Sequence, residues 1–245
     1  MTATQSPATR DARRSMFLTA AREAVGMPAI VLGASYLGFG SLVRESGIGI
    51  WLGLFSTLSA WALPGQVALV ELYGVGASLV VISLAVALTN ARLMPMTITL
   101  MPLIHDPAVP RWRYYLYSHF VAVTAWAFSM RRCPEMPRDV RLPYFIGFAS
   151  VLWAASLIGT AAGFLLADAV PQEITLGLVF LNPIYFMLIL ATDLRHRARV
   201  LALGLGVVLG PALHTVSHDW GLMMTGLIAG TVAFGADKLL AARNV

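Results

Sequence analysis

The chain has 245 residues, of which 58% are hydrophobic and 12% charged, with a formal net charge of +5. A soluble domain carries roughly a quarter of its residues as charges, so this composition excludes an ordinary water-soluble fold. No basic stripe interleaved with aromatics is present, which excludes a nucleic-acid-binding surface as well.

Residues 1–22 read as a polar tail. The first apolar run is too long for a removed signal peptide and lacks a small-residue cleavage site. A spanning helix needs about 20 apolar residues to cross a hydrocarbon core of about 30 Å. The runs 24–43, 49–73, 77–101, 112–130, 143–167, 174–192, 200–216 and 220–240 meet that length between charge clusters. They predict an all-α, polytopic transmembrane helical bundle of about eight spans, some of them broken, filling one domain over 23–240, with a short tail at 241–245. The seventh run is short and glycine-rich and ends in Pro211, so a re-entrant segment rivals a full crossing there.

Lys and Arg gather on the cytoplasmic side of membrane proteins. Eight spans with both termini cytoplasmic place Arg10, Arg13, Arg14, Arg22, Arg131, Arg132, Arg138, Arg141, Arg195, Arg197, Arg199, Lys238 and Arg243 on that side. Arg44, Arg111 and Arg113 fall on the other. Trp51, Trp112, Tyr114, Tyr115, Tyr144 and Trp220 stand near run ends, where aromatics anchor at the head-group level.

Polar groups inside these runs mark the candidate site. Pro64-Gly65 interrupts the second run just before Gln66, and freed backbone groups in mid-membrane must meet other helices or a polar cavity. A helix restarting near Gln66 would aim its positive end at that cavity, which suits a carboxylate; a packed proline kink is the simpler alternative. Asn90-Ala91-Arg92 lies midway through the third run. A central arginine costs about 2.5 to 3.5 kcal/mol even on lenient scales, so Arg92 must find a partner, water or a ligand unless it snorkels to the interface. The few carboxylates lie near run ends or in loops, which leaves Arg92 open to an anionic substrate group. Asn182-Pro183 repeats the pairing of an amide with a helix breaker, and His119 in the fourth run is a candidate proton relay. His214 and His218 share a helical face but lack further ligands, so no metal site is expected. Neither GxSxG, HExxH nor a P-loop occurs, so no catalytic residues, cofactor or ATP hydrolysis are expected.

Several ordered elements resemble the AzlC/YgaZ family, the large subunits of branched-chain amino acid exporters of the LIV-E type. They are Gly26-Met27-Pro28 with Gly38-Phe39-Gly40, Ala62-Leu63-Pro64-Gly65-Gln66, Asn90-Ala91-Arg92-Leu93, the run around Trp153, Gly159 and Gly163, and Leu176-Gly177-Leu178-Val179-Phe180. The resemblance implies a secondary transporter subunit of the bacterial inner membrane that exports Leu, Ile, Val or Met, with a separate small AzlD/YgaH-like membrane subunit as partner. The polar breaks read above place Pro64, Gly65, Gln66, Asn90, Arg92 and Asn182 around the substrate. A membrane subunit that only stabilises or regulates a partner is the alternative. Two departures bear on coupling: Val179 stands where relatives carry an acid, and 120–127 lacks the Asp-Glu pair often found in relatives.

Overall fold

A computed structural model describes residues 7–169, 171–191, 197–216 and 221–243, which form twelve α-helices and no strand. They fall into two compact units, divided after Phe186.

The first unit is built on a pair of parallel rods. Helices α1 (Pro7–Val25) and α2 (Met27–Glu45) follow one another with a break at Gly26, where Pro28 opens α2 in its first turn. Both lie along α9 (Arg138–Leu166). Gly147 abuts the carbonyl of Phe17, Gly159 that of Gly33, and Gly163 that of Leu37, while Arg44 reaches the carbonyl of Phe164 at 3.1 Å and pairs with Asp168. Positions on both rods rise together, so they run parallel. The polar stretch read as a tail is therefore helical from Pro7, with Ala20 and Ala24 buried.

Gly159 and Gly163 form a Gly-x-x-x-Gly face, which lets backbones approach closely where no hydrophobic force drives helices together in lipid. A Cβ on Gly163 would collide with the Leu37 carbonyl, which belongs to a helix backbone and cannot rotate aside. Gly163→Ala is expected to lower stability by about 1 to 3 kcal/mol, read as a lower Tm in detergent. Gly204→Ala, in open space, should leave Tm unchanged or slightly raised.

The chain then doubles back. Helix α3 (Ile50–Ser59) starts at the far end of α2, with Gly53 against Val43, and descends along α9. Thr57 Oγ1 lies 3.0 Å from Thr160 Oγ1, and Trp61 Nε1 donates to Ser156 Oγ at 2.9 Å. After Trp61, whose φ of +32° is unfavourable for a bulky residue, α4 (Leu63–Gly74) climbs to end beside Ser46 at the cap of α2. The stretch 49–73, expected to cross once, is instead a helical hairpin with both ends together.

Helix α5 (Leu79–Asn90) runs back down α4, bringing Asn90 against Gly65, and α6 (Leu93–Leu103) continues it after a 42° bend. This pair ends at the start of α9, where Arg141 donates to the Leu103 carbonyl at 3.3 Å and Asp106 pairs with Arg13. Helix α7 (Arg113–His119) rises from that end, where the Asp106 N–H donates to Tyr114 Oη at 2.8 Å. At its tip the Phe120 ring lies 5.8 Å from that of Trp153. Helix α8 (Val123–Arg132) returns: Phe128 stacks on Phe148 at 4.8 Å, and Arg132 donates to Glu23 at 2.6 Å. The stretch 112–130 is thus a second hairpin, entering from the opposite end. Its loop 104–112 lies at the α1 end, not across from it as eight crossings require.

The physical reason is length. Helices α3 and α4 have 10 and 12 residues and α7 and α8 have 7 and 10. At about 1.5 Å per residue each covers roughly half of a 30 Å core or less. Among the described residues α2 and α9 are long and apolar enough to cross alone, and the bent α5–α6 pair is so when its two helices are taken together as one span.

Helix α10 (Gln172–Ala191) carries Pro183 within it and rests Thr175 and Val179 on Gly38. In the second unit α11 (Arg197–Val216) packs on α12 (Gly221–Arg243), and α11 is one 20-residue helix with Pro211 inside it.

Candidate functional site

Three interruptions, at 60–62, 91–92 and 120–122, meet at one cleft of about 30 Å³. Leu32 and Tyr36 of α2 form one wall; Trp61, Leu63 and Pro64, then Arg92 and Leu93, then Ala122, Val123 and Thr124 complete it. Besides α6, which continues α5 after its bend, two helices begin here. Helix α4 starts after Ala62 and α8 after Ala122, and alanine has no side-chain acceptor, so neither N-terminus carries a side-chain cap. First-turn N–H groups lack intrahelical acceptors, and each N-terminus carries about half a positive charge. Arg92 adds a full one. Among the described residues the ion pairs are Arg13–Asp106, Arg44–Asp168 and Arg132–Glu23, so Arg92 faces the cleft without a carboxylate. The arrangement offers three sources of positive potential and no fixed anion.

Gln66 is committed elsewhere. Its Oε1 accepts from Tyr36 Oη at 2.9 Å, and its Nε2 donates to Ser56 Oγ at 2.9 Å and Thr57 Oγ1 at 3.0 Å. Thr57 meets Thr160, which donates to the Ser156 carbonyl at 2.9 Å. This buried chain ties the first hairpin to α2 and α9, and Gln66 touches the cleft through the Tyr36 ring. Tyr36→Phe leaves the Gln66 carbonyl oxygen unpaired in a dry interior and is expected to cost about 1 to 2 kcal/mol, measured as a lower Tm at unchanged helical content.

Asn90 packs on Gly65, and its Oδ1 is buried with no hydrogen-bond partner among the described residues. A side chain at Gly65 would displace it. His119 sits at the tip of the second hairpin, edge-on to Phe120 at 5.6 Å and to Trp153 at 6.4 Å. Asn182 lies within α10, but its side chain, like that of His214 and the whole of His218, is outside the described residues. The expected set is therefore partly assembled: Pro64 and Arg92 share the cleft, Gly65 and Asn90 touch each other beside it, and Gln66 braces its wall.

Sequence reasoning missed Tyr36, Trp61, Thr160 and the Ala122–Thr124 helix start. Ser156 and Thr160 stand four apart on the face of α9 that carries Gly159 and Gly163, a signal that could have been read. Phe120-Val121-Ala122 contains neither proline nor glycine and offered none. At the position where an acid was expected, Val179 rests on Gly38 at the α2–α10 contact.

Residues 28–170 match a family model described as AzlC protein. Comparison with curated proteins and with solved structures finds no match. The matched segment runs from the start of α2 to just beyond α9 and contains both hairpins, the bent pair and every residue lining the cleft. It spans more than half of the chain, and the chain belongs to the AzlC family, a transport-related family of membrane proteins.

Proposed function

We propose that this chain is the translocating subunit of a secondary exporter of apolar amino acids, Leu, Ile, Val or Met, in the bacterial inner membrane, working with a separate small membrane subunit. The observation that carries this reading is the convergence of two uncapped helix N-termini and an arginine without a carboxylate on one cleft. Such a cleft takes a carboxylate by charge-assisted hydrogen bonds. Leu32, Leu63 and Leu93 offer apolar surface to the side chain, and Asn90, its Oδ1 unpaired, stands beside the cleft against Gly65. A hollow of about 30 Å³ holds a water or two. Substrate therefore enters only when a hairpin tip moves, and the two tips, entering from opposite ends, act as the inner and outer gates of alternating access.

Within the first unit the membrane is then crossed by α1–α2, α5–α6 and α9, with the two hairpins dipping halfway. In this arrangement Arg111 and Arg113 join Arg10, Arg13, Arg14, Arg22, Arg131, Arg132, Arg138 and Arg141 at the cytoplasmic end. Arg44 stays at the opposite end, and it is paired with Asp168. The N-terminal end is then cytoplasmic, and over the first unit the positive-inside rule fits better than with eight crossings. The deciding experiment is export of leucine, valine or methionine from cells loaded with dipeptides, with and without the small subunit. Export no faster than from cells lacking the chain would sink the transporter reading.

A further inference from the structure

At the arginine-rich end, α6 and α7 diverge around a cleft of about 770 Å³. Met101 and Pro102 form its apolar wall, beside Thr97 and Ser118 whose hydroxyls donate to backbone carbonyls of their own helices, while His105, Arg111, Tyr114 and Tyr115 form its polar rim. The Tyr114 ring stacks on His105 at 5.4 Å with its hydroxyl held by the Asp106 backbone, so the rim is rigid. Asp106 is the nearby acid, and its carboxylate is already taken by Arg13 and by the Ala108 N–H at 2.9 Å. Arg111 has no ion-pair partner among the described residues. Just beyond the cleft, Ile98 and Leu116 are exposed on the outer faces of the same two helices. Apolar walls at hydrocarbon depth below a cationic, aromatic rim at the interface match the two ends of one molecule.

We propose that this cleft holds an anionic phospholipid of the cytoplasmic leaflet, its phosphodiester at Arg111 and its acyl chain along Met101 and Pro102. The site is separate from the substrate cleft and rests on the membrane reading above, and only the leaflet it faces rests on the orientation given there. A soluble anion would use the rim alone and leave the apolar wall uncovered.

The test is native mass spectrometry of the purified full chain, offered phosphatidylglycerol and phosphatidylcholine with identical acyl chains. Phosphatidylglycerol is expected to be retained preferentially. A basic residue near the membrane surface is worth about fivefold in affinity, so Arg111→Ala should cut phosphatidylglycerol retention by about that factor and leave phosphatidylcholine unchanged. Arg111→Lys should keep most of the preference, and Arg44→Ala, already paired, all of it. Equal retention of the two lipids, an Arg111→Ala chain with undiminished preference, or displacement of the lipid by millimolar inorganic phosphate would each overturn the proposal. Sidedness is read separately by cysteine labelling, so a chain oriented the other way could keep the lipid site, and a correctly oriented chain could lack it.

Discussion

Arg92→Ala is expected to abolish amino-acid export while leaving the chain in the membrane at ordinary abundance. The separation of the two readouts follows from what surrounds the guanidinium. It has no carboxylate partner among the described residues, so its removal strands no buried acid. Loss of a charged hydrogen-bond partner from a desolvated contact costs about 2 to 5 kcal/mol, a factor of about 30 to several thousand. Arg92→Lys keeps the charge but gives up the planar fork, so partial export with a raised apparent KM is expected. Arg132→Ala provides the contrast. Glu23 is bound there by Arg132 at 2.6 Å and by Tyr144 Oη at 2.8 Å, joining α1, α8 and α9. Its loss should reduce abundance first. If Arg92→Ala lowers abundance as far as it lowers export, Arg92 is structural and the subunit serves a partner instead of carrying substrate.

The helical character and the membrane setting were legible because they depend on composition and run length, which do not change with topology. The break at Pro64 was legible because proline cannot continue a helix, and the bend at Asn90 to Arg92 because charge in oil demands a reason. The reversal of the chain was not. A hydropathy run of 25 residues is equally apolar whether its two halves continue or fold back, and what separates the cases is tertiary: the Gln66 amide holding Ser56 and Thr57, and Gly74 returning to Ser46. The charge pattern held a clue. Arg111 and Arg113 stood on the wrong side of an eight-span count, and two hairpins that enter and leave on one side would remove that anomaly. The tip at Phe120 to Ala122 is held by packing among Trp61, Phe120 and Trp153, which no local residue pattern announces.

Hairpins and crossings make opposite, all-or-none predictions for labelling by a membrane-impermeant maleimide. Cys133 is fully buried, and that burial pushes its thiol up to about 11, where little thiolate exists at neutral pH. The parent chain should therefore give no background. Val75 and Arg111 are both exposed, Val75 at 80%. If α4 returns to the outer end and α7 starts at the inner one, Val75→Cys labels from outside intact cells, and Arg111→Cys labels only after the cytoplasmic face is opened. Eight straight crossings reverse both results. Because the two positions bracket the bent α5–α6 pair, their labelling from opposite sides also establishes that this pair crosses. Such a crossing would put Arg92 at mid-membrane depth, beside the cleft that it lines together with Pro64 and Thr124.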